Sequence, residues 1–314
     1  MYFTQSVLIS LILLSGVTTA SAQSKPELKG KISISGAFAL YPMAVKWAEE
    51  YRKLNPGVQI DLSAGGAGKG MTDVLAGVVD IALVSREINP AETKKGAVGF
   101  AVTKDAVVPT ISSTNPQLKE ILEKGITRDK LNHIFITGRI QNWQEAGFSK
   151  PVPLHVYTRS DACGAAETLA QWFGKKQEDL QGVAVFGDPG LATSVKRDPV
   201  AIGYNNIGYV YDFTTKKPTN GVQVIPIDLN NNGKIDADEN FYGDIQSLTD
   251  AIAAGKYPSP PARDLYFVTK GKPTNPIVID FTRWVLVNGQ QFVDAAGYVK
   301  LSDEKLKKSL AALN

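Results

Sequence analysis

A glycine-rich turn, Gly65-Gly66-Ala67-Gly68-Lys69-Gly70, lies between an alternating stretch and a helical one, and it is where this sequence could first do chemistry. Such a turn leaves backbone N–H groups bare at a helix start, where the helix dipole also favours negative charge. It would seat an anion, with Lys69 adding a cation. The same residues would serve as a plain tight turn linking two strands, so the neighbours must decide. Two arginines stand at other strand ends, Arg86 after Ser85 and Arg159 before Ser160-Asp161. A guanidinium offers the paired donors that clasp an oxyanion, although either arginine would also make an ordinary surface ion pair. Asp161 would contact the ligand or cap the helix that starts at Gly164.

A second chemistry is written into residues 228–239, DLNNNGKIDADE, which fit D-x-[DN]-x-[DN]-G-x5-E at every fixed position. Oxygens of Asp228, Asn230 and Asn232 would wrap one side of a hard cation. Gly233 permits the sharp turn, Lys234 contributes its carbonyl, Asp236 acts through water, and Glu239 closes the site. The expected cofactor is a structural Ca2+ outside any paired helix-loop-helix, since residues 222–227 read as a strand. An Asn/Asp/Gly-rich turn that binds nothing is the competing reading.

A hydrolase would need Cys163 or Ser160 as nucleophile and His155 as base. The spacing opposes it: a strand end separates His155 from Ser160, and His133 is the only other histidine. The expectation is therefore a binding protein, not an enzyme.

The elements that must position these residues follow from periodicity. Ile32 and Ile34 alternate as a strand that Gly36 breaks. After Pro42, the residues Ala44, Trp47, Ala48, Tyr51 and Leu54 recur at helical spacing, and Asn55-Pro56-Gly57 ends the helix. Val58, Ile60 and Leu62 form a strand, Met71, Val74 and Leu75 a helix, and Val79 to Val84 a buried strand. Such a β-α-β-α-β run makes a parallel sheet with ligands beyond the carboxyl ends of its strands. Three loops, 35–41, 64–70 and 85–87, would then converge on one crevice. Later, Leu154 to Thr158 reads as a strand, Ala165 to Phe173 as a helix, and residues 201–204 and 207–211 as short strands around the turn Asn205-Asn206. Tyr41 and Trp143 read as packing residues. Segments of linker character at 108–116 and 257–261 bracket a central block, as in two lobes joined by two crossings that close on a ligand.

Composition sets the limits. The chain has 314 residues, 43% hydrophobic and 9% aromatic, globular values for two domains. A net charge of +3 from 34 basic and 31 acidic residues argues against nucleic acid as the partner. Residues 1–22 lack Lys, Arg, Asp and Glu, carry an apolar run from Val7 to Leu14 and end in Ala20-Ser21-Ala22, as a cleavable signal peptide does. The expected mature chain is exported, periplasmic, soluble and monomeric. Cys163 is the single cysteine, so no intrachain disulfide forms.

Taken in order, these segments resemble the phosphate-binding proteins of bacterial ABC transporters, in the periplasmic binding protein superfamily. Residues 36–42, GAFALYP, with Lys46-Trp47 are similar to the first phosphate loop, Gly65 to Gly70 to the second, and Val79-Asp80-Ile81 through Ser85-Arg86 to the third. Ile134-Phe135 with Gly138, Ile140, Asn142-Trp143 and Gly147 is similar to the central signature. Thr158-Arg159-Ser160-Asp161 with Gly164 and Glu167 is similar to the arginine loop, and Ala201-Ile202-Gly203-Tyr204 to another recurrent segment. The resemblance implies an α/β fold of two lobes, 30–112 plus 262–314 and 113–261, each a mostly parallel sheet flanked by helices. It also implies capture of phosphate or a related oxyanion for an ABC permease. The implied ligand residues are Ala39, Leu40, Gly66, Ala67, Lys69, Ser85, Arg86, Arg159, Asp161, Cys163, Gly164 and Ala165.

The chain departs from that family in its hydroxyls. Ala37, Phe38, Ala39, Ala67, Cys163 and Ala165 stand where Ser or Thr is usual, and Ser85 where some members carry an Asp. Each missing neutral donor forgoes roughly 0.5 to 1.5 kcal/mol. The alternative function is therefore a binding protein whose pocket has drifted to another small ligand or to an interaction role.

Overall fold

The computed structural model describes residues 28–314; the expected signal peptide, 1–22, lies outside them. In chain order the elements are β1 (Gly30–Gly36), α1 (Tyr41–Leu54), β2 (Val58–Ala64), α2 (Ala67–Leu75), β3 (Ile81–Val84), α3 (Pro90–Lys94), β4 (Ala97–Ser112), α4 (Leu118–Lys124), α5 (Arg128–Phe135), β5 (His155–Arg159), α6 (Gly164–Trp172), β6 (Val183–Val185), α7 (Gly187–Arg197), β7 (Ala201–Asn206), β8 (Val222–Val224), α8 (Ile245–Ala253), β9 (Ala262–Lys270), α9 (Pro276–Val287) and α10 (Asp303–Leu313). Among the described residues no helix is long and apolar enough to cross a membrane.

The first β-α-β-α-β run folds as its periodicity predicts, with β2, β1 and β3 side by side and parallel. Trp47 and Tyr51, one α1 turn apart, are fully buried: Trp47 Nε1 donates to the Gly289 carbonyl, and its ring meets Phe267 edge-on. A second parallel set, β7, β5 and β6, occupies the far end of one continuous sheet with strand order β2-β1-β3-β9-β4-β7-β5-β6. Between the two sets run β4 and β9, antiparallel to each other from Ala97↔Lys270 to Ala106↔Ala262 with a bulge at Ala101/Thr103. Two hydrophobic cores sit on this sheet. One gathers residues from Ile32 to Val102 and from Leu265 to Leu313, without Val299; the other gathers Ala106 to Ala262 with Val299. Both crossings between the lobes therefore lie on strands, at 102–106 and 262–265.

Two readings of local structure change. The linker character of Val108-Pro109 yields to strand: β4 runs unbroken through both residues, Val108 is fully buried, and the Pro109 carbonyl accepts from Ile225 N at 2.9 Å. Asn205 and Asn206 are the buried end of β7, not a turn, and residues 207–209 form one turn of 3-10 helix in place of the strand. The turn reading fails because both side-chain amides are tied internally: Asn205 Nδ2 donates to the Asp188 carbonyl, and Asn206 Nδ2 to the Asp188 carboxylate.

Candidate functional site

The loops at the strand ends meet between the lobes. Gly36 has φ 137°, and a Cβ there would strike the Leu83 carbonyl; its own carbonyl accepts from the amides of Gly65 and Gly66. The first two loops are thereby stitched together. Gly66, at φ 94°, precedes α2, and no side chain caps that helix start. From the other lobe, the Ala162 carbonyl accepts the Gly68 amide at 3.1 Å. A Cβ on Gly66 would lie 2.9 Å from Asp161 Oδ2, and one on Gly164 only 2.2 Å from the Ser85 carbonyl. The lobes thus touch backbone to backbone at glycines.

Around these contacts the amides of Phe38, Ala39, Ala67, Gly164 and Ala165 find no acceptor among the described residues. Ala39, Ala67 and Ala165 are at most 2% exposed. A buried donor without a partner costs about 1–3 kcal/mol, and these five belong to three helix starts, α1, α2 and α6, from both lobes. Leu40 differs, because its amide is used within the turn, donating to the Ala37 carbonyl.

Arg159 ends β5 beneath them. Its Nε and one terminal nitrogen form a fork onto Asp161 at 2.8 and 2.6 Å, and the other terminal nitrogen reaches Asp188 Oδ2 at 2.5 Å. Asp161 therefore orients the arginine, and it also accepts from Gly187 N at 3.0 Å. It does not cap α6: Cys163 does, its Sγ accepting from Ala166 N at 3.4 Å. Phe38 lies over the guanidinium with its centroid 5.5 Å from Cζ. Burial alone would lower the pKa of Arg159, but Asp188 and Asp161 more than offset it and hold the group charged. Three of the five N–H donors are committed, which leaves two for a ligand.

Asp188 is the residue that sequence reasoning missed. It is 1% exposed and receives Arg159 on one oxygen and the amide and side chain of Asn206 on the other. The one available signal was an acidic residue in the first turn of α7, a helix that periodicity had not identified.

Two expected cations are spent elsewhere. Arg86 forms a fork onto Glu92 of α3 at 2.7 and 2.9 Å, and burial of that pair fixes it there. Lys69 turns back along α2 to Asp73, which also accepts from Ser35 Oγ. The donors left open between the lobes are therefore the amides and two N–H groups of Arg159, and Ser85 is buried behind Gly164. The Cys163 thiol is pushed up to about 12 by burial, against the pull of Arg159 and with Asp161 and Asp188 adding to the rise. It is a poor nucleophile. His155 is bonded to Asp198 at 2.7 Å, and His133 to Thr137 at 3.3 Å.

In residues 228–239, Asp228 and Glu239 are buried and fixed by backbone amides. Asp228 accepts from Asn232 and Gly233, and Glu239 from Leu229, Asn230 and Asp236. The Asn230 and Asn232 side-chain amides and Lys234 all turn to Asp236, holding its carboxyl down at about 2. Among the described residues no group of three or more His, Cys, Asp or Glu side chains is gathered as metal ligands.

Comparison with known proteins agrees with this architecture. The phosphate-binding protein PstS of Bacillus subtilis is 30% identical over 194 residues, 61% of this chain and 62% of that one. PstS of Methanocaldococcus jannaschii is 26% identical across 94% of this chain and 89% of its own. Among solved structures, a phosphate ABC transporter substrate-binding protein from Clostridium perfringens with bound phosphate superposes with a TM-score of 0.71 at 22% identity, covering 87% of this chain and all of that one. An ABC-type phosphate transport receptor from Vibrio cholerae superposes at 0.63 and 20% identity, over 86% of this chain. Residues 19–288 match the model of the PBP superfamily domain, and with two lobes closing helix starts on a shared arginine, the chain belongs to the periplasmic binding protein superfamily.

Proposed function

We propose that this protein is an extracytoplasmic solute-binding protein that captures phosphate or a related oxyanion and delivers it to the permease of an ABC importer, working as an exported monomer. The observation that carries the reading is the set of five amides without acceptors among the described residues, drawn from three helix starts in both lobes, with Arg159 beneath Phe38 and its partner Asp161 beside Gly66. A tetrahedral anion supplies the acceptors they lack. Hydrogen bonds to a charged group contribute about 1.5–3 kcal/mol each, so four or five reach the roughly 8 kcal/mol of micromolar binding without side-chain hydroxyls. The names of the relatives, PstS, support phosphate as the anion.

Isothermal titration of refolded protein tests it. The expected result is one-to-one binding of phosphate with little dependence on added salt, because the anion is enclosed. Absence of heat with phosphate, arsenate, sulfate, molybdate and tungstate would overturn the reading, as would an organic molecule found by native mass spectrometry.

The same proposal includes Ca2+ in residues 228–239. Asp228 and Glu239 are held in place, and a half-turn of the Asn230 and Asn232 amides presents oxygen to a cation, with Lys234 giving its carbonyl and Asp236 a water. The ion would supply structural charge only. Calcium at millimolar concentration is expected to raise the melting temperature by several degrees, and chelator to reverse it; an unchanged melting curve would sink the site.

A further inference from the structure

Behind the seat lies a buried polar chain that ligand binding, as described so far, does not use. Asp105 on β4 and Arg263 on β9 are register partners on the two strands that cross between the lobes. They are 1% and 7% exposed, and Arg263 Nε lies 3.2 Å from Asp105 Oδ1 without the alignment of a hydrogen bond. Both Asp105 oxygens lack a hydrogen-bond donor. Arg263 aims its terminal nitrogens elsewhere, at the Gly164 carbonyl (3.3 Å) and at Asn206 Oδ1. Gly164 opens α6, whose first amides line the seat, and Asn206 holds Asp188 on Arg159. One run of contacts thus joins the seat to a carboxylate that is unfinished as an ion.

We propose that Asp105 is a proton site linked to the anion seat: it takes up a proton as the anion binds, and Arg263, Asn206 and Asp188 carry the coupling as positioning residues. The inference rests on the oxyanion reading. A buried carboxylate with no donors is stabilised by protonation. Its protonation removes one negative charge from the cluster behind the anion, so anion and proton favour each other, and the linkage is reciprocal. The groups that bear on Asp105 are Arg263 from β9, which opposes protonation, Asp188 from α7, which favours it, and the phenol of Tyr298, which donates to the Ala39 carbonyl beside the seat. Lys305 of α10 is committed to Asp264. Burial, with the charge of Asp188, pushes the Asp105 carboxyl up to about 7 despite Arg263, where a proton can be exchanged in ordinary conditions.

Calorimetry with inorganic phosphate in buffers of different ionisation enthalpy, from pH 6 to 8.5, reads the protons moved on binding. Phosphate titrates in the same range, so the comparison is between the native protein and Asp105→Asn. The native protein should take up more protons per anion, by a sizeable fraction of one near pH 7.5, and its affinity should fall several-fold more steeply above pH 7. Arg263→Lys should keep binding but change that uptake, which a purely structural role would not. Equal proton uptake in the native protein and Asp105→Asn, with phosphate bound by both, overturns the coupling alone. Absence of heat from the native protein at every pH overturns it together with the oxyanion reading.

Discussion

At Cys163 a single atom separates this site from a hydroxyl-bearing one. Its sulfur already caps α6 by accepting from Ala166 N, and a serine oxygen is the stronger cap and a stronger donor. Cys163→Ser is therefore expected to stabilise the fold by about 0.5–1 kcal/mol. It should also tighten phosphate binding up to about tenfold, near the 1.4 kcal/mol equivalent of that factor, as read by thermal melts and titration. The native thiol should resist iodoacetamide at pH 8 until the protein unfolds, since burial raises it to about 12; rapid alkylation of folded protein would contradict the buried seat. Arg159 was legible from sequence because a strand-end arginine beside Asp161 is a local pattern. Its second carboxylate, Asp188, is 29 residues away and reaches it only through the packing of α7. Arg86 shows the reverse: of its two readings, anion contact or ion pair, the structure has the ion pair, with Glu92 six residues on.

At the scale of elements, the parts that alternated or recurred at 3.6 residues were read correctly, α1 and the parallel β1–β3 set above all. The misreadings at Pro109 and at Asn205-Asn206 have one physical source. Pro109 and the Asn205-Asn206 pair carry local turn preferences that long-range pairing overrides: β4 is bonded to β7, β8 and β9 along its length, which costs a proline only its missing donor. Helix α2 depends on glycine in a way that local sequence did show. At Gly66 the positive φ and the nearness of Asp161 and Ala162 leave no room for a methyl group. Gly66→Ala is expected to weaken phosphate binding by tenfold or more, because the methyl group meets the opposite lobe, and also to lower the melting temperature by several degrees, because φ 94° with ψ 154° strains any residue but glycine. Equal affinity in the variant would mean that the lobes do not meet there when the anion is bound.

For the whole molecule, the raised Asp105 carboxyl gives a pH dependence of stability with a definite sign. Below about pH 4, the ordinary range of an unfolded aspartate, the group is protonated in both states and contributes no slope. As pH rises toward about 7 the unfolded chain loses this proton first, so stability from this group falls, and above that it is level. Urea melts across pH 4 to 8 should show that decline in the native protein and its loss in Asp105→Asn; the slope is the readout, since Asn also leaves Arg263 without its counter-ion. The two crossings carry a further consequence. Strands bonded edge to edge resist bending within their own plane but yield readily to torsion, so β4 and β9 behave as a flat spring rather than as two loose tethers. The halves should part by a wringing rotation about that ribbon, with its rungs intact. Amide exchange along 103–107 should then stay as slow in the anion-free protein as in the bound one, while the amides of Gly68 and Ala165 exchange freely once the anion leaves.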